Sequence, residues 1–407
     1  MTDRDALTFR HAREDDLDRL IEIHQSAFPD ARRHDARRTN FLANGFGSFD
    51  ELQIAQKNGL IVAHAFLFAL KAWFGGAPVG LGAIASVGVA PEARGQKIGS
   101  ALLNHLHALS RERGDALTML YAFRQGFYDR HGYGVVSPSR RLTVSPRAVP
   151  RTWVVDTQRG ELRRAGAEER GEIVRVYEAV AATSTGFLSR SERLWERRFI
   201  DERRQWFVVG APGKVTGYVA WKLRQSEPHA MTRLVVDELV AEDDRTRRLL
   251  FGAIGAQCDQ VTEFEIALAD DDVVGRAFVD PDLAQFGTSD VEHPLGVIVG
   301  GPVLRIHEPA FALEARGYLE EGSLSIAVTG GARVLLTVER GRGTTRPLQD
   351  DRADIAVDAR TLSSILYGAL LPSDAARLGW LEARDHEALL RADSLLALPS
   401  FFALDSF

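Results

Sequence analysis

Residues 86–106, SVGVAPEARGQKIGSALLNHL, place two glycines and two cations between a β-branched run and a helical apolar period. A strand that gives way to a helix N-terminus presents backbone N–H groups without intrahelical partners, and the helix dipole adds partial positive charge there. Such a joint binds anions, phosphates foremost. Gly95 and Gly99 let the backbone approach a ligand closely, while Arg94 and Lys97 supply full charges. An ordinary strand-to-helix turn with solvated cations fits the residues equally well. A second stretch, GFYDRHGYG at 126–134, offers Tyr128 and His131 as proton carriers, beside the plainer reading of Tyr128 as a core aromatic like Phe127 or Tyr133.

Other motifs fail on spacing. Gly341-Arg342-Gly343 lacks the third glycine of a dinucleotide loop, and Gly213-Lys214-Val215 lacks the hydroxyl residue of a P-loop. No GxSxG and no HExxH occurs. The lone Cys258 excludes an intrachain disulfide and a cysteine-based metal cluster; it is expected as a buried structural cysteine on a helix, and no metal is expected.

The elements that position these residues follow from periodicity. ALTFRHA alternates as a strand, and Leu17, Leu20, Ile21, His24 and Phe28 share a helical face that Pro29 ends. Three β-rich runs from Gln53 to Val89, punctuated by Asn58-Gly59 and Gly75-Gly76, predict an antiparallel meander. After the joint, Ile98, Ala101, Leu102, His105, Leu106 and Leu109 mark a helix that Gly114 closes. Leu117 to Tyr121 follows as a strand, then an aromatic-rich short helix and a glycine-bounded return strand. LRRAGAEERGEIVRVYEAVAA repeats the strand-then-helix opening, QWFVVGAPGKVTGYVAWKLR reads as a hairpin, and TRLVVDELVAEDDRTRRLLFGAIGAQC again puts a strand before a helix. Its joint, ELVAEDDRTRR, is acidic and a poor anion cradle. Beyond it the texture changes to a meander followed by helices, and the apolar PSFFALDSF predicts a packed chain end.

The order β-α-β-β-β-joint-α-β-aromatic helix-β resembles the GCN5-related N-acetyltransferases (GNAT). Arg94-Gly95-Gln96-Lys97-Ile98-Gly99 matches their pyrophosphate signature, except that Lys97 stands at the first signature glycine. The resemblance implies that amides of about Gly95 to Ser100 grip the pyrophosphate of acetyl-CoA with Arg94 beside them, that Val87, Gly88 and Val89 hold the pantetheine and thioester on a strand splayed at a bulge, and that Tyr128 is the general acid. Over the whole chain the three units resemble the enhanced intracellular survival (Eis) proteins. An α/β fold is therefore expected, with a catalytic GNAT unit at 1–147, a degenerate GNAT-like unit at 148–287 and a sterol-carrier-like unit at 288–407. That family implies a general base at the Phe407 carboxylate, an acceptor pocket with Phe28, Asp30 and Trp73, aminoglycoside or lysine-containing acceptors, and a hexamer.

Composition bounds the rest. A chain of 407 residues with 45% hydrophobic and 26% charged residues supports several packed cores. A net charge of −6 provides no global attraction to nucleic acid. No window approaches a membrane span, and the charged start MTDRDALTFRHAREDD lacks a secretion signal, so a cytoplasmic location is expected. One reading of another class stays open: a lipid- or protein-binding module on a non-catalytic acetyltransferase scaffold.

Overall fold

The computed structural model describes residues 7–29, 34–135, 137–159, 162–225, 232–279, 295–349 and 352–407. Leu7–His11 (β1) lies antiparallel to Leu52–Lys57 (β2), and the meander continues through Leu60–Phe74 (β3) and Ala77–Val89 (β4). The tight turns are set by residue type. Asn58 and Gly59 take φ of 54° and 78°, and Gly75 and Gly76 take 60° and 83°, the paired left-handed geometry that a two-residue hairpin demands. Leu17–Ala27 (α1) and His34–Leu42 (α2) connect β1 to β2. Rings of His24 and Phe41 meet His64 and Phe66 on one face of β3. Leu67 reaches the opposite face near Ser110 of Ile98–Glu112 (α3). α3 carries the chain over to Leu117–Leu120 (β5), which pairs parallel with β4, and the short helix Gln125–Asp129 (α4) follows.

The second sheet is built from Pro138–Val144 (β6), Leu162–Arg164 (β7), Gln205–Val209 (β8), Gly217–Arg224 (β9), Arg233–Ala241 (β10), Glu263–Ala269 (β11) and Gly296–Gly300 (β12), in the order β12-β6-β11-β10-β9-β8-β7. Its helices include Arg151–Gln158 (α5), Arg170–Ala181 (α6), Glu192–Phe199 (α7) and Asp244–Gly255 (α8). The expected opening strand and helix are β7 and α6, the hairpin is β8–β9, and β10 precedes α8. Cys258 lies past the end of α8 and is half-buried, not enclosed in the helix as the sequence suggested.

One strand departs from expectation. The return strand anticipated after the aromatic helix does not close the first sheet: β6 pairs with β11 and β12 in the second. Beside β5 lies Val303–Ile306 (β13), antiparallel, in the order β1-β2-β3-β4-β5-β13. Each sheet is thus completed by a strand distant in sequence. The alternation of SRRLTV says that the segment pairs; in the second sheet Arg140 meets Asp270, just past β11, and Arg141 meets Glu265 on it.

The third sheet runs Arg342–Pro347, Arg333–Glu339, Gly322–Val328, Ile355–Val357, Leu381–Ala383 in spatial order. Fully buried Arg316 donates to the carbonyls of Leu366 at 2.8 Å and Leu396 at 3.2 Å. These end helices Ala359–Leu366 and His386–Leu396, whose last carbonyls lack intrahelical donors. The chain end is packed as expected: Phe401 is 2% and Asp405 1% exposed. Among the described residues no helix is long and apolar enough to cross a membrane, and no three His, Cys, Asp or Glu side chains converge as a metal site.

Candidate active site

The joint after β4 owes its shape to three local features. First, Ala63 opposes Val89 and His64 opposes Gly88, but Phe66 opposes Ala85, so Ser86 and Val87 bulge out across from Ala65. Ser86 adopts a φ of 52° to do so. Gly88 is required here, since an added Cβ would sit 2.6 Å from Nε2 of His64 and 3.1 Å from Cγ2 of Ile23. Second, β4 pairs with β5 only from Leu81 to Ala83 and then runs on to Val89 with no partner on that side, held by β3 alone. The Ala90 N–H reaches back to Val62 O at 2.9 Å, so strand alternation turns the N–H groups of Val89 and Val87 toward the opened side.

Third, Gly95 at φ 79° and Lys97 at φ 60° turn the chain into α3. Lys97 is the N-cap and its side chain caps nothing, so the amides of Ile98, Gly99 and Ser100 receive no acceptor from it. The position where the resemblance calls for glycine has kept the left-handed backbone that glycine favours. Gly99 has no such need, because an added Cβ would make ordinary contacts, 3.6 Å to Val89 and 3.7 Å to Phe127. Arg94 is not aimed at the amides. It donates to Ser26 O at 2.9 Å and Val89 O at 3.3 Å, bracing α1 against the end of β4. Gln96 accepts from Lys57 at 2.9 Å and donates to Glu92 O at 3.0 Å.

α4 packs against the start of α3, where His131 hydrogen-bonds Ser100 Oγ at 3.1 Å. Tyr128 is 2% exposed among the rings of Phe123, Phe127 and Tyr133, at 6.2, 5.0 and 5.7 Å. Burial pushes its hydroxyl up to about 12, which keeps the proton on oxygen throughout the neutral range. Tyr121, also raised to about 12 by burial, donates to Asp405 O at 3.0 Å.

On the other side of the bulge opens a cleft of about 630 Å³, lined by His24, Phe28, Phe46, Ala85, Ser86 and Phe407 and rimmed by Arg197, Arg198, Arg203 and Arg204. The Phe407 ring stands edge-on to Tyr121 at 5.6 Å and to Phe46 at 6.0 Å. Arg37 Nη1 lies 2.6 Å from His24 Nδ1; a guanidinium only donates, so that nitrogen accepts and the His24 proton sits on Nε2. Among the described residues three of the four rim cations are matched by acids, Arg203 by Asp201 at 3.1 Å, Arg204 by Asp237 at 2.8 Å and Arg198 by Glu238 and Asp405.

Of the residues anticipated for the acceptor pocket, Phe28 lines the cleft and Asp30 lies outside the described residues. Trp73 does not line it. It sits at the far end of β3, where its backbone N–H donates to Phe187 O at 2.8 Å and its ring joins the core of the second unit with Tyr177 and Trp195. An aromatic on a long strand reads alike from either end. His24, Phe46 and Tyr121 were not singled out from sequence. Only His24 left a trace, as a polar residue on the apolar face of α1.

Comparison with known proteins places these features in a family. Residues 8–136 and 186–306 each match an acetyltransferase (GNAT) domain, and residues 310–401 a sterol carrier protein domain. The N-acetyltransferase Eis of Mycobacterium tuberculosis (strain ATCC 25177 / H37Ra) is 27% identical over 326 residues, 76% of each chain. An uncharacterised N-acetyltransferase of Streptomyces avermitilis is 28% identical over 403 residues, covering 90% of this chain and 89% of that one. In fold, the GCN5-related N-acetyltransferase of Anabaena variabilis superposes with a TM-score of 0.82 at 19% identity, covering 99% of this chain and 100% of that one. Eis1 of Mycobacterium abscessus gives 0.76 at 21%, with coverage of 99% and 100%. A splayed, bulged strand is duplicated in the two acetyltransferase (GNAT) units and followed by a sterol carrier protein unit: the chain is an N-acetyltransferase built of GNAT domains, similar to the Eis N-acetyltransferases.

Proposed function

We propose that the chain transfers the acetyl group of acetyl-CoA directly to a primary amine held in the cleft beside Phe28 and Phe407. The observation that carries this reading is the pair of openings on one bulge: β4 parts from β5 on one side, and the 630 Å³ cleft opens at Ala85 and Ser86 on the other. The thioester lies along Val87, Gly88 and Val89, and the N–H groups of Val87 and Val89 bind the carbonyl oxygen as negative charge develops; one such donor is worth about 3 kcal/mol of barrier. The pyrophosphate sits on the amides of Gly95 to Ser100, with Lys97 as the nearby cation. Arg94 serves as a brace of that loop.

A lysine-like amine, of pKa about 10.4, is only about 0.04% neutral at pH 7, so a base must take its proton. The Phe407 carboxylate fills that role, and Tyr128, which holds its proton, supplies the thiolate leaving group. Net transfer moves the acetyl carbon from sulfur to nitrogen, the amine proton to the carboxylate and the tyrosine proton to sulfur. The acceptor is an aminoglycoside, polyamine or lysine-containing molecule, since aromatic walls and a cleft of this volume suit a drug-sized amine.

The test is an acceptor screen by mass spectrometry paired with calorimetric titration of acetyl-CoA. A mass gain of one acetyl group on an amine, with saturable donor binding, is expected. No binding at millimolar acetyl-CoA would reject the enzyme mechanism.

A further inference from the structure

The second sheet repeats the opening that makes the first unit's site. β10 pairs parallel with β11 from Arg233 to Val236 and no further, and it bulges against β9 at Asp237. The occupant differs. α8 is capped by Asp243, whose side chain accepts from Thr246 N at 2.8 Å, so an acid of the chain sits where an anion would bind. Along the parted strands runs a groove of about 580 Å³, one wall of which is residues 399–404.

Beyond that wall the tail is held by charge. Asp405 accepts from Arg190 Nε at 3.0 Å, from Arg198, and from Tyr177 Oη at 3.2 Å. Glu238, beside the bulge, accepts from Arg190 Nη1 at 2.9 Å, from Arg198 and from Tyr218 Oη at 2.8 Å. The Arg190 guanidinium stacks 3.9 Å from the Tyr177 ring and 4.6 Å from that of Trp195. Two cations and two anions balance, and the side chains of Arg190, Glu238 and Asp405 are fully buried. Backbone contacts fix the same segment: Phe402 N donates to Thr185 O at 2.9 Å, and Ser137 Oγ to Phe401 O at 3.3 Å. Two residues after Asp405, Phe407 enters the cleft of the first unit.

Buried ion clusters add little net stability over apolar packing of the same volume, so their use is to specify one arrangement. We propose that the second GNAT-like unit is a socket for residues 399–407. Arg190, Arg198, Glu238 and Asp405 are positioning residues that set the Phe407 carboxylate at the acceptor amine. The catalytic purpose rests on the reading of that carboxylate as base; the socket itself rests on geometry.

The test measures amide exchange across residues 399–407, the pH profile of kcat, and acetyl-CoA affinity on the full chain. The variants are Asp405→Asn and Arg198→Met/Asp405→Leu, the second removing one cation and one anion together so that Arg190 and Glu238 stay paired and the fold is kept. Expected are at least tenfold faster exchange over residues 401–407, at least a tenfold fall in kcat with loss of its basic-group limb, and acetyl-CoA binding within twofold of wild type. Unchanged exchange overturns the socket, as does a freed tail with wild-type kcat. A further variant with residues appended after Phe407 separates the two ideas. If it loses turnover while the Asp405 variants do not, the base stands and the socket falls. Wild-type turnover in it refutes the base, and with it the socket's catalytic purpose.

Discussion

Lys97→Gly should move stability and ligand affinity in opposite directions. Lys97 holds φ 60° and ψ 12° at the head of α3, a conformation that costs an L-residue about 1–2 kcal/mol. Glycine removes that cost but brings about 0.5–1 kcal/mol of extra backbone entropy in the unfolded chain. The difference is a net gain of about 0.5–1 kcal/mol, or about 1–4 °C in the melting of the first unit. The same change deletes a charge next to the proposed pyrophosphate site. Lys97 is exposed, so the water-like end of the Coulomb range applies, about 1 kcal/mol at contact distance and so about a fivefold rise in the acetyl-CoA Kd. Urea unfolding followed by fluorescence gives the first quantity, and calorimetry at 20 and 300 mM salt the second. Lys97→Asn, neutral yet tolerant of the left-handed region, should share the affinity loss with little stability change. A lower urea midpoint for the glycine variant would show that no strain is stored at Lys97. An unchanged Kd at low salt would show that its charge does not serve the ligand.

Tyr128→Phe should lower kcat about 100-fold and leave acetyl-CoA binding intact, a typical loss for one proton donor; a wild-type rate assigns the acid elsewhere. Gly88→Ala should destabilise by about 1–3 kcal/mol through its clash with His64 and Ile23, and pairing it with His64→Ala should recover part of the loss; strict additivity would mean that the imidazole does not fill the glycine's space. Burial holds His64 down to about 3, aided by the nearby His24, and holds His107 down to about 2 and His307 to about 4, each aided by Arg305. Because the unfolded chain takes up protons near pH 6.5 and the folded one does not, their stabilisation is complete above that pH and falls as pH drops toward these lower values. Each group steepens the fall by up to about 1.4 kcal/mol per pH unit, so urea midpoints should drop between pH 6.5 and 4.5, and a flat profile would contradict the burial of these rings.

Local structure was readable because local chemistry dictates it. Asn58-Gly59 and Gly75-Gly76 have the residue types that a tight hairpin needs, and the apolar period after Ile98 allows little but a helix. The joint was legible for the same reason except at Lys97, where a side chain calls for a backbone that suits a Cβ and the chain instead takes φ 60°. Side-chain aim was not. Arg94 was read as a ligand cation, yet its guanidinium is taken by two carbonyls that the sequence cannot bring near it. Trp73 and the exchange of β6 and β13 failed likewise, since each depends on contacts more than a hundred residues apart.

The two joints make the same argument about function from opposite sides. β4 and β10 both bulge and both part from the parallel strand beside them, so backbone geometry alone does not distinguish a working site from a spent one. The helix that follows does. At α3 the capping residue is a strained lysine that leaves the amides unclaimed; at α8 it is Asp243, which claims one amide and repels any incoming phosphate. ARGQKIG against AEDDRTR was therefore the informative comparison in the sequence, because capping is a one-residue property that needs no tertiary knowledge. What that comparison leaves out is the chain segment that walls the second opening. Asp405 meets Arg190 and Arg198 only after some two hundred intervening residues have folded, so the tail's seat is a product of assembly and the clamp a product of local chain chemistry.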